Sequence, residues 1–379
     1  MSKIGVHVVI GPRNGFGDFL SRIRAANQAL AVVKCVDDFG AAYEAKQYNS
    51  LTLTVGRING MRDPEGQWRD LQAFEPRDWP NAQAAADAYF SLVRGRWSLN
   101  HQWIDVWETF NEFSAHWAWQ ADFYVRMMEL AEANGYTLAL YACSTGNPPR
   151  PEDDGGAAYA AILSACKRAR RGGHFLSLHE YGLAGTLRGT QPDLALRYRS
   201  LATYLLEHDA MIPIVISECG QNGGYEFAGA HTFIDDFAWY DSELMRDAYV
   251  AGAAAWTLGK WENANFQDAL PALADYIITH PPPPAPPPPE PEPCRGLPRT
   301  DYERVYFVIP PSATESRAAE IFRMGWQEAR RTVGGSYDDA GIGDLQTRVA
   351  ALWDIPIEQR QVYVEWYATH YPGVEVEFR

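Results

Sequence analysis

Two stretches of the chain decide its fold, Trp107-Glu108-Thr109-Phe110-Asn111-Glu112 and Val215-Ile216-Ser217-Glu218-Cys219-Gly220. Each is an apolar run of β type that leads into a glutamate. If both runs are strands of one closed parallel barrel, they point in the same direction and end at the same mouth. The carboxyl groups of Glu112 and Glu218 are then expected to face each other there.

The first 280 residues alternate apolar runs with amphipathic stretches of helical period. The runs predicted as strands are 4–10, 31–36, 51–58, 104–110, 137–142, 175–179, 212–217 and 252–257. The stretches predicted as helices are 17–29, 82–97, 121–134, 157–171, 192–208, 243–250 and 270–279. This count and size predict an α/β fold, a (β/α)8 TIM barrel. A doubly wound open sheet is the alternative, but no glycine-rich fingerprint follows the first strand.

A proline-rich segment at 281–297 separates the predicted barrel, 1–280, from a small C-terminal domain, 298–379. Proline fixes φ and donates no hydrogen bond, so the segment predicts a stiff polyproline linker. The C-terminal domain reads as strand 304–309, helix 314–331, strand 348–354, helix 357–370 and strand 374–378, a small βαβαβ sheet. The glycine-rich segment 333–343 follows a helix and therefore predicts a turn. Nothing indicates the domain's role or partner.

The composition indicates a globular protein with an uncharged partner. Of the 379 residues 46% are hydrophobic and 21% charged, and the formal net charge is −15. Such a chain suits neither a nucleic-acid groove nor an anionic membrane surface. No window reaches the roughly 18 apolar residues of a membrane span. The 13 Trp and 20 Tyr suit stacking on sugars, although most aromatic side chains serve a core.

The sequence indicates no metal site and no cofactor. The cysteines are scattered and show no paired spacing: Cys35, Cys143, Cys166, Cys219 and Cys294. His7 stands alone on the first predicted strand, without the second histidine of a His-x-His pair.

Polar residues collect at the carboxyl ends of the predicted strands, where the active sites of TIM barrels lie. They are His7, Asp37, Asp38, Arg57, Asn111, Glu112, His179, Tyr181, Glu218 and Trp256. Two facing carboxyl groups, one a proton donor and the other a nucleophile, are the equipment for cutting a glycosidic bond. Alternation along a strand predicts that Glu108, Phe110 and Glu112 share one orientation. The alternative is an Asn-Glu pair that only opens the following helix.

The strand ends resemble those of clan A glycoside hydrolases, especially family 5. Glu108-Thr109-Phe110-Asn111-Glu112 is similar to the family's Glu-x-x-Asn-Glu signature, and Ile216-Ser217-Glu218-Cys219-Gly220 to its nucleophile segment. His179-Glu180-Tyr181 matches the family's His-x-Tyr, and Trp256 matches its strand-8 tryptophan. The resemblance covers the predicted barrel.

The resemblance implies a retaining mechanism with Glu112 as acid/base and Glu218 as nucleophile. Asn111 is implied to contact the sugar 2-hydroxyl and Tyr181 to hydrogen-bond Glu218. His179 is implied to orient Glu112 or the sugar.

Trp256 is implied to stack under the sugar ring. Trp261, in the loop after the eighth strand, and the tryptophans of the 59–81 loop are further candidates for walling a glycan cleft. Endo action is one option and exo action the other, and the alternative for these loops is that they only pad the barrel.

The chain departs from family 5 at three places. Phe113 replaces the proline after the strand-4 glutamate, and Lys34 lies on strand 2, where the family has its arginine. On strand 3, where the family has a histidine, this chain has Arg57. Arg57, on strand 3, is a candidate for that arginine's place beside Glu218. A related, unnamed family of clan A is therefore as good a match as family 5.

These observations predict a retaining β-glycosidase acting on a poly- or oligosaccharide. The alternatives are a non-catalytic carbohydrate-binding barrel with a C-terminal interaction module, and a barrel hydrolase or lyase not directed at sugars. Proline-rich spacers join modules in secreted polysaccharide enzymes, so an extracytoplasmic location is expected, although the start shows no signal peptide.

Overall fold

Eight parallel strands close into a barrel in the first part of the chain. Each strand pairs with its neighbours in sequence, and the eighth pairs with the first. The strands are β1 (Ile4–Val8), β2 (Val32–Val36), β3 (Leu53–Arg57), β4 (Val106–Glu108), β5 (Thr137–Cys143), β6 (Phe175–Tyr181), β7 (Ile214–Gly220) and β8 (Val250–Leu258). The prediction of a (β/α)8 TIM barrel is confirmed.

The computed structural model describes residues 2–63, 65–261, 263–279, 305–310, 313–328, 332–334, 349–371 and 374–379. The chain divides into two compact units, Met1–Ala285 and Pro286–Arg379. The predicted proline-rich linker at 281–297 lies outside the described residues.

Each barrel strand is followed by a helix. The helices are α1 (Phe16–Ala25), α2 (Gly40–Tyr48), α3 (Ala82–Asn100), α4 (Trp117–Glu132), α5 (Ala157–Gly172), α6 (Tyr198–Glu207), α7 (Ala230–Leu244) and α8 (Leu270–Thr279). The main hydrophobic core lies between these helices and the outer faces of the strands.

The sequence missed α2 and displaced α7. α2 buries only alanines, so its apolar stripe is weak. α7 buries Asp236 and Asp241 together with its aromatic residues, which hides the helical period. The helix predicted at 243–250 is wrong, because α7 ends at Leu244 and β8 begins at Val250.

The barrel axis has an apolar floor and a polar layer above it. Val32, Val55, Val106, Val215 and neighbouring alanines pack into one cluster at the starts of the strands. Side chains two residues further along a strand point to the same face. This period places Lys34, Arg57, Glu108 and Ser217 above the floor, towards the mouth of the barrel.

The second unit contains a four-stranded parallel sheet. Its strands are β9 (Val305–Val308), β10 (Thr332–Gly334), β11 (Val349–Leu352) and β12 (Glu375–Phe378), in the order β10-β9-β11-β12. Among the described residues of this unit, two α-helices accompany them, α9 (Glu315–Phe322) and α10 (Arg360–His370).

Two predictions for the second unit are corrected. The helix predicted at 314–331 is α-helical only to Phe322 and continues as a π-helical segment, Arg323–Glu328, while 329–331 lie outside the described residues. The turn predicted from residue 333 begins instead as strand β10, where Val333 packs beside Phe307. The remainder of that glycine-rich segment lies outside the described residues.

None of the helices described above combines the length and the apolar character needed to cross a bilayer.

Candidate active site

Glu218 lies near the end of β7 with its side chain almost fully buried. Arg57 Nη1 approaches its Oε1 at 3.1 Å, and His7 Nε2 lies 3.5 Å from the same oxygen. The Tyr181 hydroxyl donates to Oε2 at 3.0 Å. Four strands therefore converge on one carboxylate.

The surroundings of Glu218 keep it ionised. Burial alone raises the pKa of a carboxyl group, because it removes water from the charged form. The charges of His179 and Arg57 and the nearby ring of His7 outweigh burial and hold the pKa of Glu218 well below its usual range. Burial lowers the pKa of His7 to about 4, so we treat its imidazole as neutral at pH 7.

Glu112 reaches the mouth from the loop after β4. Its φ is 54°, in the left-handed region, and its backbone N–H donates to the Ala142 carbonyl at 2.9 Å. Its side chain is 41% exposed, and its Oε1 lies 3.0 Å from His179 Nδ1. Glu112 is therefore the rim carboxyl group of the pair, and Glu218 is the buried one.

The predicted alternation through Phe110 is wrong. β4 ends at Glu108, whose side chain faces the barrel axis, whereas Phe110 packs against Phe123 of α4 with ring centroids 4.5 Å apart. The chain leaves strand geometry after Glu108. Glu112 therefore reaches the mouth through its left-handed backbone and not through strand alternation.

The two carboxyl groups lie close together. One oxygen of Glu112, one oxygen of Glu218 and a ring nitrogen of His179 all lie within 4.8 Å of one another. His179 and Glu218 are paired in register across β6 and β7, which sets them at the same height.

The same three side chains have a spacing that a metal ion could bridge. The guanidinium of Arg57 already supplies positive charge to Glu218 at 3.1 Å, and a dication beside it would be repelled. This arrangement favours a pair of reacting carboxyl groups over a cation site.

Tryptophans line one side of the mouth. The Trp256 ring centroid lies 4.4 Å from that of His7, and its indole N–H donates to the Gly224 carbonyl at 2.9 Å. Trp261 lies 5.8 Å from Trp256 and is 48% exposed. The rings of Trp256 and Trp261 therefore form one wall beside the carboxyl pair.

Asn111 and the loop after β3 complete the rim. Asn111 Oδ1 is buried and has no hydrogen-bond partner among the described residues. Trp68, on a short hairpin in that loop, is 64% exposed. Trp79 stacks on Phe74 at 5.0 Å and packs against the core, so it is not a wall residue.

Three carboxyl groups near the strand ends serve the scaffold. Asp37 accepts from the backbone N–H of Asn59, and Asp38 from that of Gly40. Glu180 points away from the mouth, where it accepts from the Tyr240 hydroxyl at 2.6 Å and from two backbone N–H groups at the start of α6.

Lys34 was predicted only as a departure from family 5, with no role at the site. Lys34 is fully buried and pairs with the fully buried carboxylate of Glu108. Ser177 donates to Glu108 as well, at 2.6 Å. The available signal was a lysine in the middle of an apolar strand, Val32–Val36, at an inward position.

No protein-family model and no curated protein matches the sequence. Solved structures with some similarity include a glycoside hydrolase family 30 subfamily 8 xylanase from Clostridium acetobutylicum, with 11% identity over 72% of this chain and 70% of that one, at a TM-score of 0.44. The catalytic domain of a mannanase from Streptomyces sp. SirexAA-E has 16% identity over 68% and 75%, at 0.39.

A bacterial orthologue of human α-L-iduronidase has 13% identity over 70% of this chain, at a TM-score of 0.42. The chain spans about half the length of that protein, 51%. The resemblance to family 5 in particular stays a prediction.

Proposed function

We propose that the barrel is a retaining glycoside hydrolase that cleaves β-glycosidic bonds of a poly- or oligosaccharide. The observation that carries the proposal is the approach of the Glu112 and Glu218 carboxyl groups, whose nearest oxygens lie within 4.8 Å. Retaining enzymes hold the two groups about 5–5.5 Å apart, whereas inverting enzymes leave about 6.5–9.5 Å for a water molecule. The short separation supports double displacement.

In the first half of the reaction Glu218 attacks the anomeric carbon. The low pKa of Glu218 supports this role, because the carboxylate is ionised before the substrate arrives. Arg57 and Tyr181 hold the two oxygens in place. Glu112, at the exposed rim, donates its proton to the departing oxygen, and a glycosyl ester forms on Glu218.

In the second half Glu112 takes a proton from water, which attacks the anomeric carbon and releases Glu218. His179, 3.0 Å from Glu112, suits this step because a ring nitrogen can accept or donate as the charge on Glu112 changes. The family resemblance supplies two more roles, contact of Asn111 with the sugar 2-hydroxyl and stacking of Trp256 under the ring. The unpartnered oxygen of Asn111 supports the first.

A neutral glycan fits the chemistry of the mouth. The net charge of −15 disfavours an anionic partner, and the exposed rings of Trp68 and Trp261 suit sugar faces. Endo action follows if a long glycan contacts both tryptophans.

The test is product release from β-glucans, β-mannans, xylans and aryl β-glycosides, with Glu218→Gln alongside. Loss of turnover in Glu218→Gln with retained glycan binding is the expected result. Glu226→Gln is the matched control, since Glu226 is an exposed carboxylate in the loop after β7. An NMR time course in which the inverted anomer appears first would contradict retention.

The same experiment addresses the carbohydrate-binding alternative. A barrel that only binds sugar shows no turnover in the wild-type protein, and its glycan binding is unchanged in Glu218→Gln.

A further inference from the structure

A second pair of charges lies inside the barrel beneath Glu218. Lys34 Nζ of β2 contacts Glu108 Oε2 of β4, and both side chains have no exposed surface. Burial raises the pKa of Glu108, but the charges of Lys34 and Arg57 lower it by more. The resulting pKa is about 2. Burial and the charge of Arg57 lower the pKa of Lys34, whereas the carboxylates of Glu108 and Glu218 raise it. We take the pair as ionic because the two groups are in direct contact, in the layer between the apolar floor and the site.

Stability does not explain this pair. Taking two charges out of water carries a large desolvation penalty, and well-packed apolar residues in their place are often as stable or more stable. A buried lysine inside an apolar strand points instead to a task at the site above it.

Arg57 connects the buried pair to the site. Its Nη1 lies 3.1 Å from Glu218 Oε1 and 3.7 Å from Glu108 Oε2, so one guanidinium serves two carboxylates. Ser177 donates to Glu108 Oε1 at 2.6 Å and lies 2.8 Å from the hydroxyl of Ser217, the residue before Glu218. Glu108 thus competes with Glu218 for the same cation.

We propose that Lys34 is a positioning residue that neutralises Glu108 and so leaves Arg57 to pair with Glu218. The proposal rests on the role of Glu218 as nucleophile. Apart from His179 and Glu112 at the mouth, Lys34 and Arg57 balance Glu108 and Glu218, two charges against two. Without Lys34, Glu108 draws Arg57 away, and the negative charge beside Glu218 is no longer compensated.

The charged and titratable side chains around Glu218 influence its titration. These groups are His7 on β1, Lys34 on β2, Arg57 on β3, Glu108 on β4, Glu112 in the loop after β4, and His179 and Tyr181 on β6. The substitutions below leave all of them unchanged except Lys34 and Glu108.

The test is the acid limb of the pH profile of kcat/KM, which reports the ionisation of the free enzyme's carboxylate. Lys34→Met is expected to move this limb to higher pH by about one unit or more, because a compensating charge is lost near Glu218. The double variant Lys34→Met with Glu108→Gln is expected to return it most of the way. A limb that stays in place in Lys34→Met, or a shift that persists in the double variant, would overturn the proposal.

Lys46→Met is the matched control. Lys46 of α2 forms another lysine–carboxylate pair, with Asp105 Oδ2 at 2.6 Å, beside Thr54 at the start of β3. Its loss is expected to leave the limb unmoved.

Should Lys34→Met fail to fold, Ser177→Ala keeps all charges and removes a donor to Glu108 together with the contact to the Ser217 hydroxyl. Glu108 then competes more strongly for Arg57, and the limb moves in the same direction by a smaller amount. An unmoved limb in a folded Ser177→Ala protein counts against the proposal.

A ¹³C-carboxyl NMR titration of Glu218, assigned with Glu218→Gln, needs no turnover. A titration that shifts in Lys34→Met and returns in the double variant supports the proposal even if no glycan is cleaved, in which case the proposed function alone fails. Turnover with an unresponsive titration rejects the charge arrangement alone.

Discussion

At the scale of single residues, the site depends on one cation shared by two carboxylates. Arg57 is the residue whose place was least certain from the sequence, because its register on β3 decides whether it faces the axis. The apolar floor settles that register: Val55 faces inward, so Arg57, two residues on, does too.

Replacing Arg57 with Met is expected to lower kcat/KM by about a hundredfold or more, since a preorganised charge beside the reacting group is lost. The pKa of Glu218 is expected to rise, and activity at acidic pH falls most. Arg13→Met is the control, because Arg13 pairs with Asp38 and Glu44 in the scaffold. Equal losses in the two variants at all pH values would argue against a specific role for Arg57.

The buried carboxyl group of Glu180 is expected to make the stability of the fold depend on pH. Burial raises the pKa of Glu180 to about 7, although the Tyr240 hydroxyl and the backbone N–H groups at the start of α6 oppose the shift. The folded form then retains a proton on Glu180 between about pH 4.5 and 7 that the unfolded form has lost, so the contribution of Glu180 to the free energy of unfolding falls as pH rises through this window. The decline is at most about 3 kcal/mol.

Urea unfolding of the wild-type protein and of Glu180→Gln at pH 5 and pH 7.5 isolates this contribution. His7 acts in the opposite direction over much of the same range in both proteins, because burial lowers its pKa to about 4. We expect the change in the free energy of unfolding from pH 5 to pH 7.5 to be more positive in Glu180→Gln than in the wild type, because the amide does not titrate. Equal changes in the two proteins contradict the prediction.

At the scale of elements, the sequence predicts all eight barrel strands but not all of the helices. The eight strands are apolar runs, and each was predicted within a few residues of its observed position. α2 and α7 escaped because alanines and buried aspartates blur the apolar stripe. Glu112 was found by motif, but the left-handed backbone that delivers it leaves no periodic signal.

The β8–α8 loop carries a prediction about glycan length. Trp261→Ala is expected to raise KM for long glycans by roughly tenfold, the value of about one stacking contact. A short aryl glycoside that ends at Trp256 is expected to be affected much less. Trp79→Ala, which removes a core ring instead, serves as the comparison, and its effect is expected on the unfolding midpoint rather than on length dependence.

At the scale of the whole molecule, charge bears on substrate choice. With a net charge of −15, the protein repels anionic polymers over roughly a Debye length at low salt. We expect KM for a neutral glycan to change less than about twofold between low and high salt. A KM that falls steeply as salt is added would identify an acidic polysaccharide as the substrate.

Because the floor of the barrel is closed, the site of the proposed enzyme is reached only through the mouth. Val32, Val55, Val106 and Val215 close the far end, so the departing sugar and the incoming water pass through the same mouth in turn. A glycan that is still bound at the mouth can attack the anomeric carbon of the glycosyl ester on Glu218 with its hydroxyl before water does. In concentrated oligosaccharide, bond-making is therefore expected to compete with bond-breaking, and longer chains to accumulate early.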